Sequence, residues 1–157
     1  MRTLGIFLLA SVSFTGAVGG PARADKIPAS VMGALGAKFP RAQIDKWSRE
    51  KEDGKIVYDI EFTQDSRKFE ADILADGTIH NWEQQIAQTD LPDAVVQTVN
   101  KKFPHAVLKE VMAVTDVKDG AEQLQAYEIV VRRSRKKDIE MTIAPDGKVL
   151  EGPGKER

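Results

Sequence analysis

Apolar residues recur at helical spacing in two short segments of the chain, and prolines bound each segment. Pro28 and Pro92 stand where a helix begins, a position at which proline's missing amide hydrogen is not needed. Pro40 and Pro104 end the same segments, because the residue before a proline disfavours the α conformation. The pattern therefore predicts two short helices, each with one apolar face. The apolar positions are Val31, Ala34, Leu35 and Phe39 in the first segment, and Val95, Val99 and Phe103 in the second.

Downstream of each predicted helix, apolar and polar residues alternate, which is typical of β-strands with one buried face. Asp-Gly pairs, which favour tight hairpin turns, occur between such runs at positions 53–54, 76–77 and 146–147. The alternation thus predicts four antiparallel strands after each helix. The alternating apolar residues are Ile56, Tyr58, Ile60, Phe62, Phe69, Ala71 and Ile73 in the first unit, and Tyr127, Ile129, Val131, Ile139, Met141 and Ile143 in the second.

The two helix-and-strand units are copies of one sequence pattern. Ile27–Val31 recurs as Leu91–Val95, and Lys38–Ala42 recurs as Lys102–Ala106, both at an offset of 64 residues. The Tyr-Asp/Glu-Ile and Asp-Gly motifs recur at offsets of 69 and 70, so we expect an insertion in the loop at 118–123 of the second copy. Motifs kept in the same order over one period indicate an internal duplication.

These patterns predict an α+β fold made of two tandem α-β-β-β-β repeats. Each repeat has one apolar helix face and one apolar sheet face to bury. The simplest arrangement packs both helices on one face of an antiparallel sheet of up to eight strands. We expect the first repeat at 25–88, the second at 89–150 and a disordered tail at 151–157.

The first residues have the pattern of an export signal. Arg2 precedes an apolar stretch, Leu4–Val18, and Ala22-Arg23-Ala24 has the small-x-small pattern of a signal-peptidase site. The alternative, a membrane anchor, is disfavoured because the strongly apolar run is shorter than the roughly 18–20 residues of a spanning helix. We therefore expect a signal peptide at 1–24, a periplasmic or secreted mature chain, and no membrane span after cleavage.

Composition narrows the chemistry open to such a chain. Lys and Arg number 23 against 24 Asp and Glu, which gives no general attraction to nucleic acid. Cysteine is absent, so disulfides, thiolate nucleophiles and cysteine-held metals are excluded. The two histidines, His80 and His105, are too few for a histidine-rich metal site. Composition thus argues against an enzyme, and we expect no cofactor.

The paired motifs resemble those of the PepSY-like proteins, whose fold is similar to that of the beta-lactamase inhibitor protein. The motifs are Ile/Leu-Pro-x-x-Val, Lys-Phe-Pro-x-Ala, a Tyr-Asp/Glu-Ile strand and an Asp-Gly hairpin, and they span the chain from Lys26 to Leu150. The resemblance implies an exported domain in which helices back one face of a sheet and leave the other face open. It does not imply inhibition of a β-lactamase, because no inhibitory contact residue can be carried over.

Strand alternation predicts which side chains lie on the sheet face opposite the helices. That set combines both tryptophans, a histidine and several carboxylates, which is the composition of a recognition surface because Trp is enriched at binding hot spots. The structural alternative is that both tryptophans only cover the sheet. The matching positions of the second repeat lack aromatic residues, which favours the first repeat as the contact centre. The candidate partner-binding residues are Trp47, Asp59, Glu61, Glu70, Asp72, His80 and Trp82.

Other candidate chemistry is weaker. Glu70, Asp72 and Asp76 are acidic, but their spacing does not match a calcium-binding loop, so no metal site is predicted. His80 near a carboxylate has no activated nucleophile or oxyanion donor to act with, so no catalytic residue is predicted. The basic run at 132–137 could hold an acidic partner, or it could be the solvated tip of a hairpin.

We therefore expect an exported, non-catalytic binding module. Its partner would be an extracytoplasmic protein or peptide, bound or inhibited through the open face of the sheet. The alternative is a periplasmic sensor or carrier that holds a small ligand or a cation on the same acidic face.

Overall fold

The computed structural model describes residues 26–132 and 137–152 of the chain. Over these residues, one helix followed by four strands occurs twice, which confirms the predicted α+β fold. A short 3₁₀ turn, Gln88–Asp90, joins the two repeats. The first repeat contains α1 (Ala29–Lys38), β1 (Gln43–Glu52), β2 (Lys55–Gln64), β3 (Arg67–Leu74) and β4 (Ile79–Gln85). The second contains α2 (Asp93–Lys102), β5 (Val107–Lys118), β6 (Ala121–Arg132), β7 (Ile139–Ile143) and β8 (Val149–Glu151).

The eight strands form one sheet in chain order, with β1 at one edge and β8 at the other. Every neighbouring pair is antiparallel, including β4 and β5, which pair across the boundary between the repeats with Gln84 opposite Ala113. The two repeats are therefore fused into a single sheet. Helix α1 packs on the first half of this sheet and α2 on the second half, both on the same face.

Each helix is short and depends on the sheet for its stability. Both helices have ten residues and begin directly after Pro28 or Pro92. They end at Phe39 and Phe103, each of which donates its backbone N–H to a carbonyl of the last turn. Isolated helices of this length are marginal in water. What holds them is the burial of one apolar stripe, formed by Val31 and Leu35 in α1 and by Val95 and Val99 in α2.

A hairpin turn of the sheet accepts a hydrogen bond from each helix. Ser30 of α1 donates its hydroxyl to the carbonyl of Ala75 at 2.7 Å, in the turn between β3 and β4. In the second repeat, Thr98 of α2 donates to the carbonyl of Gly147 at 2.7 Å, in the turn between β7 and β8. The Asp-Gly turns that the sequence indicated therefore also position the helices.

Two adjoining hydrophobic clusters fill the space between the helices and the sheet. The first cluster is aromatic, with Phe39 packed against Phe62 and Phe69 at ring-centroid distances of 4.8 and 5.5 Å. The second is mostly aliphatic. Tyr58 and Tyr127 occupy equivalent buried places in the two clusters, as the repeat predicts. The buried members are Val31, Leu35, Phe39, Tyr58, Ile60, Phe62, Phe69, Ala71 and Ile73 in the first cluster, and Leu91, Val95, Val99, Val111, Tyr127, Ile129, Val131, Met141 and Ile143 in the second.

The insertion predicted in the second repeat lengthens one hairpin. Strands β5 and β6 have twelve residues each, against ten in β1 and β2, and they join at a tight turn of Asp119 and Gly120. At the other end, β8 includes Glu151, opposite Thr142, so the last strand runs one residue past the boundary predicted for the tail. The predicted signal peptide at 1–24, the run at 133–136 and the tail at 153–157 lie outside the described residues.

No helix within the described residues is long and apolar enough to span a membrane.

Candidate binding face of the sheet

Alternate residues of the strands line the sheet face opposite α1 and α2, which we call the open face. Neither helix of the described chain covers it. Glu61, Glu70 and Glu83 stand directly opposite one another on β2, β3 and β4, and we call these three the carboxylate row. On the same face, at the next outward-facing position of β2 and β3, Asp59 stands opposite Asp72. Five carboxyl groups thus share a small area, because neighbouring strands lie about 4.8 Å apart.

The four acidic candidates from the sequence, Asp59, Glu61, Glu70 and Asp72, lie together on this face, where strand alternation placed them. Alternation succeeds here because β2 and β3 pair without a break in register from Val57 to Gln64. Their contact with a partner stays a prediction.

The face predicted for Trp47 is wrong, because β1 contains a bulge. The register shifts between Ile44 and Lys46, which leaves Asp45 as an extra residue. One extra residue turns every later side chain to the other face of a sheet. Trp47 therefore stands opposite Ile60 on the helix side, with its ring 6.2 Å from that of Tyr58.

The second repeat has the same geometry at the equivalent position. Val111 is the counterpart of Trp47 at the offset of 64, and strand alternation alone assigns both to the face opposite the helices. Val111 stands opposite Ile129 and is buried in the second core cluster. A register shift between Leu108 and Glu110 in β5 repeats the bulge of β1, which accounts for the shared orientation.

The face predicted for Trp82 is wrong for the same physical reason. Strand β4 pairs Ile79 with Ile73 and Asn81 with Asp72, so His80 is the extra residue of a bulge. Trp82 consequently stands opposite Ala71 on the helix side. Its ring lies 5.8 Å from that of Phe39, and the Nζ atom of Lys38 lies 4.8 Å from its centroid.

His80 remains exposed at the margin of the open face. Its charge acts on Asp72 and works against the rise in the pKa of that carboxyl caused by burial. The side chain of Asn81, the next residue, donates to Asp72 at 2.9 Å. The β4 bulge thus brings an amide and an imidazole to one carboxylate at the end of the acidic cluster.

Glu83 is the main residue of the open face that alternation missed. With the bulge of β4 unrecognised, alternation assigns Glu83 to the helix side, opposite to the face of Trp82. The sequence did contain an argument against that assignment, because it buries the carboxylate of Glu83 under α1 and exposes the ring of Trp82. A bulge in β4 reverses both assignments at once, and the structure contains it.

Burial shifts the acid–base behaviour of the open face. It raises the pKa of Glu70 to about 8, with further contributions from the nearby charges of Asp59 and Glu61. Burial and the neighbouring Asp72 raise the pKa of Asp59 to about 6. Burial, Glu128 and Glu70 hold the pKa of Glu83 well above its usual range. The centre of the face therefore retains protons near neutral pH.

A second acidic group lies on the same face in the second repeat. Glu128 of β6 and Glu140 of β7 interact through a side-chain hydrogen bond, which requires one of the two to hold the proton. Burial raises the pKa of both carboxyls, and the charge of Glu151 adds to each rise. The acidic character of the open face therefore extends from β2 to β8.

Two lysines reach the open face and each binds a carboxylate. The Nζ atom of Lys46 lies 2.7 Å from Glu61, and that of Lys68 lies 3.0 Å from Glu110. Among the described residues, no lysine or arginine forms an ion pair with Glu70 or Glu83. The Oε2 atom of Glu83 is shielded from solvent and has no hydrogen-bond partner there. The middle of the carboxylate row is thus left without a compensating cation.

Apolar side chains separate the acidic groups of the open face. By register, these residues stand beside the carboxylates and point away from the helices, and all are buried although no helix lies above them. These buried aliphatic side chains surround the carboxyl groups with apolar material, which favours the uncharged forms of the carboxyls. The residues are Val57, Met112, Val114 and Ala126.

No group of three or more His, Asp or Glu side chains in the described ranges is arranged to hold a metal ion.

Solved structures resemble the whole described fold. A BLIP-like protein from Bacteroides fragilis NCTC 9343 is 19% identical, with a TM-score of 0.58 over 82% of this chain and 87% of that one. A candidate periplasmic protein from Bacteroides eggerthii DSM 20697 is 18% identical, with a TM-score of 0.63 over 81% and 88%. A DUF2874 family protein from Bacteroides uniformis ATCC 8492 is 14% identical, with a TM-score of 0.59 over 79% and 86%.

These likenesses define the class of fold. The chain has an α+β, BLIP-like fold, in which two helices lie on one face of an eight-stranded antiparallel sheet. No protein-family model matches the chain. No curated protein matches it either.

Proposed function

We propose that this protein is an exported, non-catalytic module that binds a protein or peptide partner through the open face of its sheet. The observation that carries the proposal is the one-sided architecture. Both helices pack on one face, while the other face carries carboxyl groups on β2, β3, β4, β6 and β7 and has no described helix over it. A broad, uncovered face of mixed polarity suits a protein partner better than a small molecule, which normally binds in a concave pocket.

Two observations support export. The sequence has the apolar stretch and the small-x-small site of a signal peptide at 1–24. One structural neighbour is itself a candidate periplasmic protein. We propose that the mature chain is periplasmic or secreted, and its repeated motifs resemble those of the PepSY-like proteins.

The residues proposed for the contact change with the structure. Asp59, Glu61, Glu70 and Asp72 remain, and Glu83 joins them in the carboxylate row. Trp47 and Trp82 pack on the helix side, so they support the sheet from behind and are not proposed as direct contacts. His80 stays as a marginal contact, because it is exposed beside Asp72.

Site-specific photo-crosslinking tests the proposed face. A photoreactive phenylalanine replaces Val130, which lies on the open face of β6 opposite Glu140. The control replaces Met32, which is 41% exposed on α1. In the organism that encodes the protein, we expect a discrete crosslinked partner from position 130 and none from position 32. Equal crosslinking from both positions, or none from position 130, would refute binding through this face.

A further inference from the structure

We propose that the partner presents a cationic segment to the open face, with lysine or arginine side chains seated on the carboxylate row Glu61, Glu70 and Glu83. This inference rests on the proposed function and specifies its partner. The open face is a sheet face that no described helix covers, and its own charge indicates what covers it.

The arrangement of the row is unfavourable for the isolated protein. Like charges directly opposite each other on neighbouring strands destabilise a sheet, so the row can ionise fully only at a cost in stability. Here three glutamates in succession face one another, and Asp59 faces Asp72 one step away. A sheet that served only as a scaffold would gain stability from apolar or oppositely charged residues at these positions.

The second repeat shows that the fold does not need the charges of Glu61 and Asp72, although it keeps an acid at the counterparts of Asp59 and Glu70, which are Glu128 and Glu140. At the offset of 69 that relates Tyr58 to Tyr127, the counterpart of Glu61 is Val130. At the offset of 70 that relates the Asp-Gly turns, the counterpart of Asp72 is Thr142, which is buried. The same backbone therefore accepts an aliphatic residue or a hydroxyl where the first repeat has a carboxylate.

The protein's own cations leave the middle of the row uncompensated. Lys46 binds Glu61 at the β1 side and Lys68 binds Glu110. Within the described residues neither Glu70 nor Glu83 has an ion-pair partner, and one oxygen of Glu83 accepts no hydrogen bond. A partner ammonium or guanidinium supplies charge-assisted donors for these oxygens.

Proton release would accompany the binding of a cation at this row. Burial and the surrounding carboxylates keep Glu70 and Glu83 protonated near neutral pH. A cation placed next to them favours their charged forms, so the protons leave as the cation binds. Affinity should therefore increase as pH rises. The titratable groups that face the row are Lys46 from β1, Asp59 from β2, Lys68 and Asp72 from β3, Glu110 and Asp116 from β5, Glu128 from β6 and Glu140 from β7.

Titration with defined peptides tests the inference. The probe is a fluorescent twelve-residue peptide that alternates lysine and threonine, and the comparison peptide alternates glutamate and threonine. Anisotropy is measured with the mature protein at about 0.15 M salt, where long-range attraction is screened beyond roughly 8 Å. We expect the lysine peptide alone to bind, with at least a tenfold gain in affinity between pH 6 and pH 9.

Charge-matched variants separate the row from general attraction. Glu70→Gln/Glu83→Gln removes two acidic groups from the row and keeps side-chain size. The control Glu122→Gln/Asp65→Asn removes two carboxylates elsewhere, since Glu122 pairs with Lys38 of α1 and Asp65 lies in the β2–β3 turn. At pH 8 we expect the row variant to bind the lysine peptide at least tenfold more weakly than the unmodified protein, and the control variant less than twofold more weakly. Both variants should still show a thermal unfolding transition, which confirms that they are folded.

Several results would overturn the inference. They are absence of binding by the lysine peptide, equal weakening by both double variants, and affinity that does not rise with pH. The proposed function is judged separately by the crosslinks from position 130. If those crosslinks persist at full yield in Glu70→Gln/Glu83→Gln, the face binds its partner without cations, so this inference falls while the proposed function stands.

Discussion

Gly147 lies where the turn between β7 and β8 touches helix α2. It has a positive φ of 87°, and a Cβ atom there would come within 2.7 Å of the carbonyl oxygen of Ala94. Gly54 has a similar φ of 82° in the β1–β2 turn, but nothing lies within 4 Å of its added Cβ. The two glycines therefore separate backbone strain from steric conflict with the helix.

We predict that Gly147→Ala lowers the free energy of unfolding by more than Gly54→Ala does. Both variants carry the cost of a left-handed conformation in alanine, about 1–2 kcal/mol. Gly147→Ala must also displace the first turn of α2, which raises the total to about 3 kcal/mol or more. Urea unfolding of both variants measures the difference. Equal losses would show that helix α2 does not rest on this turn.

At the level of elements, the two helices end in equivalent phenylalanines with unequal surroundings. Phe39 is buried among Phe62, Phe69 and Trp82. Phe103 is only partly buried, and it packs against the second, mostly aliphatic cluster. The sequence predicts the same role for both residues. The strand partners of Phe39 are aromatic, whereas the counterparts of Phe62 and Phe69 in the second repeat are Val131 and Ile139.

We predict that Phe39→Ala lowers the free energy of unfolding by about 3–5 kcal/mol, the usual cost of truncating a buried aromatic side chain. Phe103→Ala is the matched control and should cost less, because part of its ring is in water in the folded state. Equilibrium unfolding in urea measures both. A larger loss for Phe103→Ala would contradict the packing described for the two clusters.

At the level of the whole molecule, the open face makes stability depend on pH. The pKa of Glu70 is raised from 4.5 to about 8, and that of Asp59 from 3.8 to about 6. Between the lower and the higher value of each group, the folded chain holds more protons than the unfolded chain. Stability falls with rising pH wherever the folded state binds more protons. The stabilising effect of these protons is complete below about pH 4 and is lost as pH rises to about 8.

We therefore predict that the free energy of unfolding decreases from pH 5 to pH 9. Glu70→Gln removes the titrating group and the repulsion within the row, so it should flatten this decrease. The variant should also stabilise the protein at pH 8 by about 1 kcal/mol or more. Denaturation midpoints at pH 5, 7 and 9 measure both effects. Stability that increases over this range, or a destabilised variant at pH 8, would contradict the electrostatics described for the open face.

The sequence by itself determined the repeated helix-and-strand architecture, the hairpin turns and the helix-facing residues of β2 and β3. These features follow from local periodicity, from prolines at the helix ends and from Asp-Gly turns, all of which act over a few residues. The acidic members of the open face on β2 and β3 were predictable for the same reason, since those two strands pair without a register shift.

Only the tertiary structure decided the faces of Trp47, Trp82 and Glu83. Each depends on a bulge, and a bulge forms where the pairing with a neighbouring strand gains more from shifting the register than from continuing it. Asp45 and His80 look like ordinary alternating positions in the sequence. Burying the two aromatic rings beside Tyr58 and Phe39 required those extra residues, and the same shift in β4 brought Glu83 into line with Glu70. Alternation along one strand cannot reveal this, because the stabilising contacts come from other strands and from the helix.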